Sequence, residues 1–384
     1  MNTELNLLDR QLTLQRWPLA QKNRTLQAWD SADEYLIQHV EELQLLNPQS
    51  RILLVNDSFG ALTCWFARHQ VFNLSDSYVA HQAVKHNYQQ NTQTTLEDEH
   101  LLGSMDDLPQ DIDLVLIKVP KNNGFLEHVL SLINRFLPEG TKVIAAGKTT
   151  DIHSSTLKYF ERYIGPTTTS LAKKKSRLIF ATLSQSRQDN TADPKQPKKW
   201  ALEGTDLTVV NHANVFSRDS LDIGARLLLS NLPKDTNGLS VVDLGCGNGV
   251  IGLSLLNQSP QTKVLFVDES YMAVASAQDS VALNVPDKVE QCRFVVDDCL
   301  TRQASDSIDL VVNNPPFHQQ QAVTDHIAWQ MFKDALRVLK PGGQLLIVGN
   351  RSLAYHIKLK RLFGNCKTVD ANKKFTILSS VKKG

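Results

Sequence analysis

Cysteine is scarce in this chain and follows no pattern. Cys64, Cys246, Cys292, Cys299 and Cys366 are odd in number, scattered over 384 residues, and include no C-x-x-C pair. Such a set argues against a disulfide framework and against a zinc site, so no metal is expected and a reducing, cytoplasmic setting is. Long apolar runs are lacking as well. None approaches the roughly 18 residues of a membrane span, and the first residues form no signal-like apolar region. Neither secretion nor a membrane partner is therefore expected. An excess of either charge is also missing, since 41 Lys+Arg face 40 Asp+Glu for a net charge of +1. That excludes a wholly basic nucleic-acid binder, and any such surface must be a local patch. What remains is ordinary: 41% hydrophobic and 21% charged residues, in a length generous for one domain and comfortable for two.

The periodicity predicts strands alternating with helices. In the first half, a helix over 31–46 leads to a strand at 51–55, a helix over 61–68, and strands at 112–119 and 142–146. Residues 186–199 are polar, with two prolines and three lysines, and read as a linker between domains 1–185 and 200–384. In the second half, an extended segment over 200–210 and a helix over 221–232 precede strands at 240–244, 263–268, 292–298, 308–313 and 344–348. Helices through 256, over 272–283 and over 328–339 separate them. This alternation predicts a doubly wound parallel sheet, an α/β fold.

The two halves resemble each other. Gly60 precedes Gly249 by 189 positions (249 − 60), and both stand between an apolar strand and an apolar helix. Asp113-Leu114-Val115 precedes Asp309-Leu310-Val311 by 196 (309 − 113), which sets Val119-Pro120 under Pro315-Pro316. Pro138-x-Gly140 precedes Pro341-x-Gly343 by 203 (341 − 138). A slow drift of this kind predicts two tandem copies with loops of different length. The copies differ where chemistry would sit. Leu54, Asn56 and Ser58 stand for Asp243, Gly245 and Gly247, and Lys118 stands for Asn314. A retained fold with a lost site is the expectation for the first copy. A lysine can only donate, so Lys118, with Lys121 beyond it, suits a phosphate.

The second copy carries the chemistry. Two prolines stop the strand at 308–313 and leave Asn314-Pro315-Pro316-Phe317 as a stiff loop at the ligand-binding edge of an open sheet. The Asn314 amide oxygen and the Pro315 carbonyl can each accept one hydrogen of a planar –NH2 group, and Phe317 can stack on its ring. Upstream, Asp243-x-Gly245-x-Gly247-x-Gly249 is a tight strand-to-helix turn that a ligand can approach closely. Gly247-x-Gly249-x-x-Gly252 with Asp268 also matches a dinucleotide fingerprint, so NAD is the second reading of this loop. Against it, Asp243 suits a cationic amino-acid tail better than a pyrophosphate, and a nicotinamide enzyme has no use for an amine clamp.

Together these motifs resemble class I S-adenosylmethionine-dependent N-methyltransferases. With Asn214-Val215-Phe216-Ser217-Arg218 and Leu221-Asp222-Ile223-Gly224, the chain is similar from end to end to ribosomal RNA guanine-N2 methyltransferases with a duplicated, non-catalytic N-terminal domain. It resembles their large-subunit (23S) members more than their small-subunit ones. The resemblance implies two Rossmann-like methyltransferase domains, the first degenerate and substrate-binding, and ribosomal RNA, deproteinised or in early assembly, as partner. It implies S-adenosylmethionine as cofactor, wrapped by Gly245, Gly247 and Gly249, with Asp243 near its amino group. Asp268 would hold the ribose hydroxyls, Asp298 rather than Asp297 the adenine amine, and Phe216 and Ser217 would close the site. Asn314, Pro315 and Phe317 would be catalytic, and His318 structural. Small-subunit guanine-N2, adenine-N6 and glutamine-N5 methylation stay open on the Asn-Pro-Pro-Phe loop, as does a non-enzymatic RNA-binding relative. Lys173 to Arg177, Lys195 to Lys199 and Lys373-Lys374 are local basic clusters that read first as solvated faces.

Overall fold

The computed structural model describes residues 2–19, 26–184, 196–316 and 321–384, the last stretch with side chains from His326 onward. The chain forms two compact units, Met1–Gln196 and Pro197–Gly384. The 186–199 linker expected from composition lies largely outside the described residues.

In chain order the first unit comprises β1 (Glu4–Leu7), β2 (Arg10–Thr13), α1 (Ser31–Glu42), β3 (Arg51–Val55), α2 (Ala61–Trp65), β4 (Gln70–Ser75) and α3 (Tyr78–Thr92). It continues with β5 (Leu101–Gly103), β6 (Leu114–Lys118), α4 (Asn123–Phe136), β7 (Lys142–Lys148), α5 (Ser154–Tyr163), β8 (Thr167–Thr169) and β9 (Ser176–Thr182). The second unit comprises β10 (Lys198–Ala201), β11 (Thr208–Asn211), α6 (Ile223–Leu229), β12 (Ser240–Leu244), α7 (Val250–Gln258), β13 (Lys263–Asp268) and α8 (Tyr271–Asn284). Then come β14 (Cys292–Val296), β15 (Ile308–Asn313), α9 (Gln321–Val338), β16 (Leu339–Asn350), α10 (Tyr355–Phe363), β17 (Lys367–Ala371) and β18 (Phe375–Val381).

The sheets run β5-β4-β3-β6-β7-β9-β8 and β14-β13-β12-β15-β16-β18-β17, the same order twice. In both, five parallel strands are followed by an antiparallel hairpin. The α/β fold with a duplicated, mostly parallel sheet is thus the one expected, with the hairpin added at one edge. The strands are apolar on both faces because helices cover both. Val241, Phe266, Leu310 and Val348 fill one layer and Val242, Leu265, Val311 and Ile347 the other. The strand order reverses at β12, whose neighbours are β13 and β15. A crevice must open there, outside the strands' C-terminal ends, where Gly245, Asp268 and Asn314 emerge.

Candidate active site

The glycine loop follows β12. Gly245, Gly247 and Gly249 have φ of +67°, +51° and +77°, the left-handed region where a side chain is strained. At Gly249 a Cβ would lie 2.7 Å from Ala277 Cβ, so α7 and α8 meet too closely for any other residue. At Gly247 nothing lies within 4 Å of that position, and the backbone faces open space. The loop hangs from β13, since the Gly245 and Cys246 N–H groups both donate to the Val267 carbonyl, at 2.8 and 3.0 Å. Asn248, not singled out in the sequence, ties the loop to the β10–β11 hairpin through its Nδ2 and Asn211 Oδ1, 2.9 Å.

Asp243 is buried, and its Oδ2 accepts from the Gly252 N–H at 2.9 Å. Gly252 is the third residue of α7, so this carboxylate satisfies a helix N-terminus from the strand before it. Burial raises its pKa to about 7, with the Asp268 charge adding and the Gly252 N–H opposing. Asp268 accepts at both oxygens, from Gly247 N–H and from Ser270 N–H, each at 3.0 Å. A carboxylate can accept several hydrogen bonds, which suits a diol, and the contact with Gly247 fixes the loop against the carboxylate.

The adjacent pair Asp297 and Asp298 separates clearly. Asp297 is buried and accepts from Asp298 N–H, Thr301 Oγ1 and Arg302 N–H, with the Arg302 guanidinium at 3.2 Å. It is a loop brace. Asp298 accepts from Gln330 Nε2 at 3.1 Å and, unlike Asp297, is not buried, so it is the better placed of the two to meet an amine donor.

At the end of β15, Asn313 is buried and donates through Nδ2 to the Leu244 carbonyl at 2.8 Å, pinning the strand to the start of the glycine loop. Asn314 is half-buried, and its Oδ1 is shielded from solvent with no hydrogen-bond partner among the described residues. A buried acceptor left empty costs on the order of 1–3 kcal/mol, which marks a place where a donor is missing. Pro315 beside it is buried. Phe317 and His318 lie outside the described residues. Phe216 is 55% exposed and Ser217 has φ +58°, so the 214–218 segment turns sharply and presents its aromatic ring outward.

The first unit keeps the backbone path and fills it differently. Asn56 has φ +62° where Gly245 has +67°, and Gly60 has +80° where Gly249 has +77°. The Asn56 N–H donates to Leu74 as the Gly245 N–H does to Val267. Leu54 replaces Asp243, and the capping has moved to Asp57, whose Oδ2 accepts from Thr63 N–H at 2.8 Å, the third residue of α2. Ser75 takes the place of Asp268, its hydroxyl accepting from Ser77 N–H at 3.1 Å. Lys118 is not available to a phosphate, which corrects the sequence expectation. Its ammonium is held by Asp33 at 2.6 Å and Asp30 at 3.0 Å, with the side chain only 16% exposed. Burial alone would lower its pKa, but Asp33 and Asp30 raise it above the ordinary lysine range. Lys121, on the following loop, is exposed. No short-range pattern announced this buried cluster, because Asp30 and Lys118 are 88 residues apart.

Among the described residues no group of three or more His, Cys, Asp or Glu could hold a metal, and no helix is long and apolar enough to cross a membrane. The RLMG N-terminal domain family matches residues 2–185, and the methyltransferase small domain family matches 206–379. Ribosomal RNA large subunit methyltransferase G of Pseudoalteromonas translucida is 54% identical over 100% of this chain and 99% of its own. Its counterpart in Erwinia tasmaniensis is 50% identical over 99% of each chain. A T. thermophilus 16S rRNA N2 methyltransferase solved with AdoMet and guanosine shares the fold, with a TM-score of 0.75 at 22% identity over 99% of this chain and 98% of its own.

Proposed function

The chain belongs to the ribosomal RNA large subunit methyltransferase G family, and from that membership we propose that it methylates the exocyclic N2 of a guanine in large-subunit (23S) ribosomal RNA. The observation that carries the reading is Asn314 Oδ1, a solvent-shielded acceptor without a donor among the described residues, at the sheet edge beside the glycine loop. Bound at that loop, S-adenosylmethionine supplies a methyl group already activated on a sulfonium. The residues present fit it. Gly247 offers open backbone, Asp268 a carboxylate suited to a diol, and Asp298 an acceptor for an amine.

The guanine N2 lone pair is delocalised into the ring and is a poor nucleophile. Asn314 Oδ1 and the Pro315 carbonyl, each accepting one N2 hydrogen, draw those hydrogens to one side and favour a pyramidal nitrogen. Asn314 sits on a loop stiffened by two prolines and held to the glycine loop through Asn313 and Leu244. Alignment of amine and methyl can then supply most of the rate, with no covalent nucleophile. A base within a helix cannot reach such a loop, so the guanine must leave its stack. The first unit, without a glycine cradle or a ribose carboxylate, serves RNA binding, with exposed Lys121 facing solvent. The substrate is deproteinised or early-assembly RNA in the cytoplasm.

Asn314→Ala tests the clamp. Cofactor affinity by calorimetry should change by no more than about threefold, while methyl transfer falls about 100-fold or more, the scale of a lost alignment. Turnover within tenfold of the parent would defeat the assignment.

A further inference from the structure

We propose that Arg351, Lys373 and Lys374 form a phosphate-binding surface that holds the RNA strand beside the target base, a proposal that rests on the RNA-methylating reading above. The sheet register places these residues. Asn313 pairs with Ile347 across β15 and β16, and Asn350 pairs with Phe375 across β16 and β18. Arg351 and the β17–β18 turn therefore lie at the same C-terminal edge of the sheet as Asn314, one and two strands over. At about 4.8 Å between strands and 3.3 Å per residue, Arg351 begins roughly 11 Å from Asn314. Phosphates flanking a base held at Asn314 fall within reach of such long side chains.

The three cations sit on one fixed element. Arg351 N–H donates to the Lys374 carbonyl at 3.0 Å, and its Nη1 to the Asn372 carbonyl at 3.2 Å. Asn372 Oδ1 in turn accepts from the Lys374 and Phe375 N–H groups, at 2.9 and 2.7 Å. All three side chains are exposed. Among the described residues the ion pairs of this unit use Lys198, His212, Arg226, Arg302, Lys340 and Lys382, not these three. The acid on the same hairpin, Asp370, accepts from Asn231 Nδ2 and from the Ala371 N–H.

The first unit supplies an internal control. Its equivalent turn, before β9, carries Lys173, Lys174 and Lys175, but there α1 answers the charge. Glu34 binds Lys174 at 2.6 Å, and Gln38 accepts from Lys173 at 2.7 Å. Glu34 is the fourth residue of α1, while the fourth residue of α6 is Arg226, itself paired with Glu203. Glu34 thus neutralises one lysine of the first unit's turn, whereas among the described residues no acid is paired with the three cations of the second. A chain of net charge +1 gains a local anion site without global basicity.

The test uses the full chain with Arg351→Gln, Lys373→Gln and Lys374→Gln combined. The control is Lys360→Gln with Arg361→Gln, in the last turn of α10. Binding of deproteinised large-subunit RNA is measured across salt concentrations, and cofactor affinity by calorimetry. The triple variant should bind RNA at least tenfold more weakly at low salt. Its slope of log affinity against log salt should be shallower by about 2, at roughly 0.7 per single-strand phosphate. Cofactor affinity should stay at the parent value and the control should match the parent. An unchanged slope in the triple variant, or an equal change in the control, overturns the proposal and leaves ordinary solvated lysines. A parent protein that leaves ribosomal RNA unmethylated would instead overturn the reading on which the proposal rests.

Discussion

Replacing Asp268 by alanine should separate cofactor binding from everything else the second unit does. Its carboxylate holds the Gly247 and Ser270 N–H groups at 3.0 Å each. In the proposed complex it also accepts from two ribose hydroxyls. Hydrogen bonds to a charged group contribute about 1.5–3 kcal/mol each, so losing the pair removes on the order of 3 kcal/mol even if one is replaced by water. At 1.4 kcal/mol per decade, that is roughly a hundredfold weaker binding. Freeing Gly247 should add to the loss, because the loop is no longer held in its left-handed turn before the ligand arrives. Calorimetry with S-adenosylmethionine reads the first effect, and RNA binding in the same preparation should stay at the parent value. Asp268→Asn keeps one acceptor but presents –NH2 to one of the two backbone donors, so it should not restore affinity. A cofactor affinity within fivefold of the parent in Asp268→Ala would refute the reasoning, and equal losses of RNA and cofactor binding would point to misfolding.

Two further predictions concern buried charge. Lys118→Met should destabilise the first unit by about 3–5 kcal/mol, because it strands buried Asp33 without its cation. Thermal melting should show the loss, with RNA affinity unaffected. Adding Asp33→Leu should recover much of it, and a single variant that melts like the parent would mean the pair contributes nothing. The second concerns Asp243, whose pKa burial raises to about 7. Its folded value lies above the unfolded carboxylate value, so the native state keeps a proton that the unfolded chain has lost between about pH 4 and 7. Stability from this group therefore falls as pH rises through that window, and Asp243→Asn should gain on the parent in melting temperature between pH 5 and pH 8. An identical difference at both pH values would remove Asp243 from the account.

Much of the second unit was legible because its strands are apolar on both faces and end in glycine or proline. Ser240–Leu244, Lys263–Asp268 and Ile308–Asn313 fall where the periodicity puts them. The hairpin of β17 and β18 was not foreseen, since every residue of β17 is exposed and polar side chains dominate it, so no alternation marks it as an edge strand. The helix expected to reach residue 46 ends at Glu42, where Gln44 turns left-handed. Lys118 was misread for a different reason. A lysine in the register of Asn314 looks solvent-facing in a linear sequence, and only the fold brings Asp30 and Asp33 to it. Capping by Asp57 in place of Asp243 was equally hidden, because the same helix N–H is reached from another position of the loop. Asn313 was visible as a second asparagine at the end of an apolar strand, but only its bond to Leu244 shows that it joins the two loops.

In the proposed reaction, Asn314 and Pro315 present the N2 amine of a guanine in large-subunit RNA. The direct measurement is incubation of the purified protein with methyl-labelled S-adenosylmethionine and separately deproteinised large- and small-subunit ribosomal RNA, followed by nucleoside analysis. Label in N2-methylguanosine, from large-subunit RNA only and abolished by Asn314→Ala, is the predicted result. Label in N6-methyladenosine, label from small-subunit RNA alone, or no transfer to either RNA would contradict it.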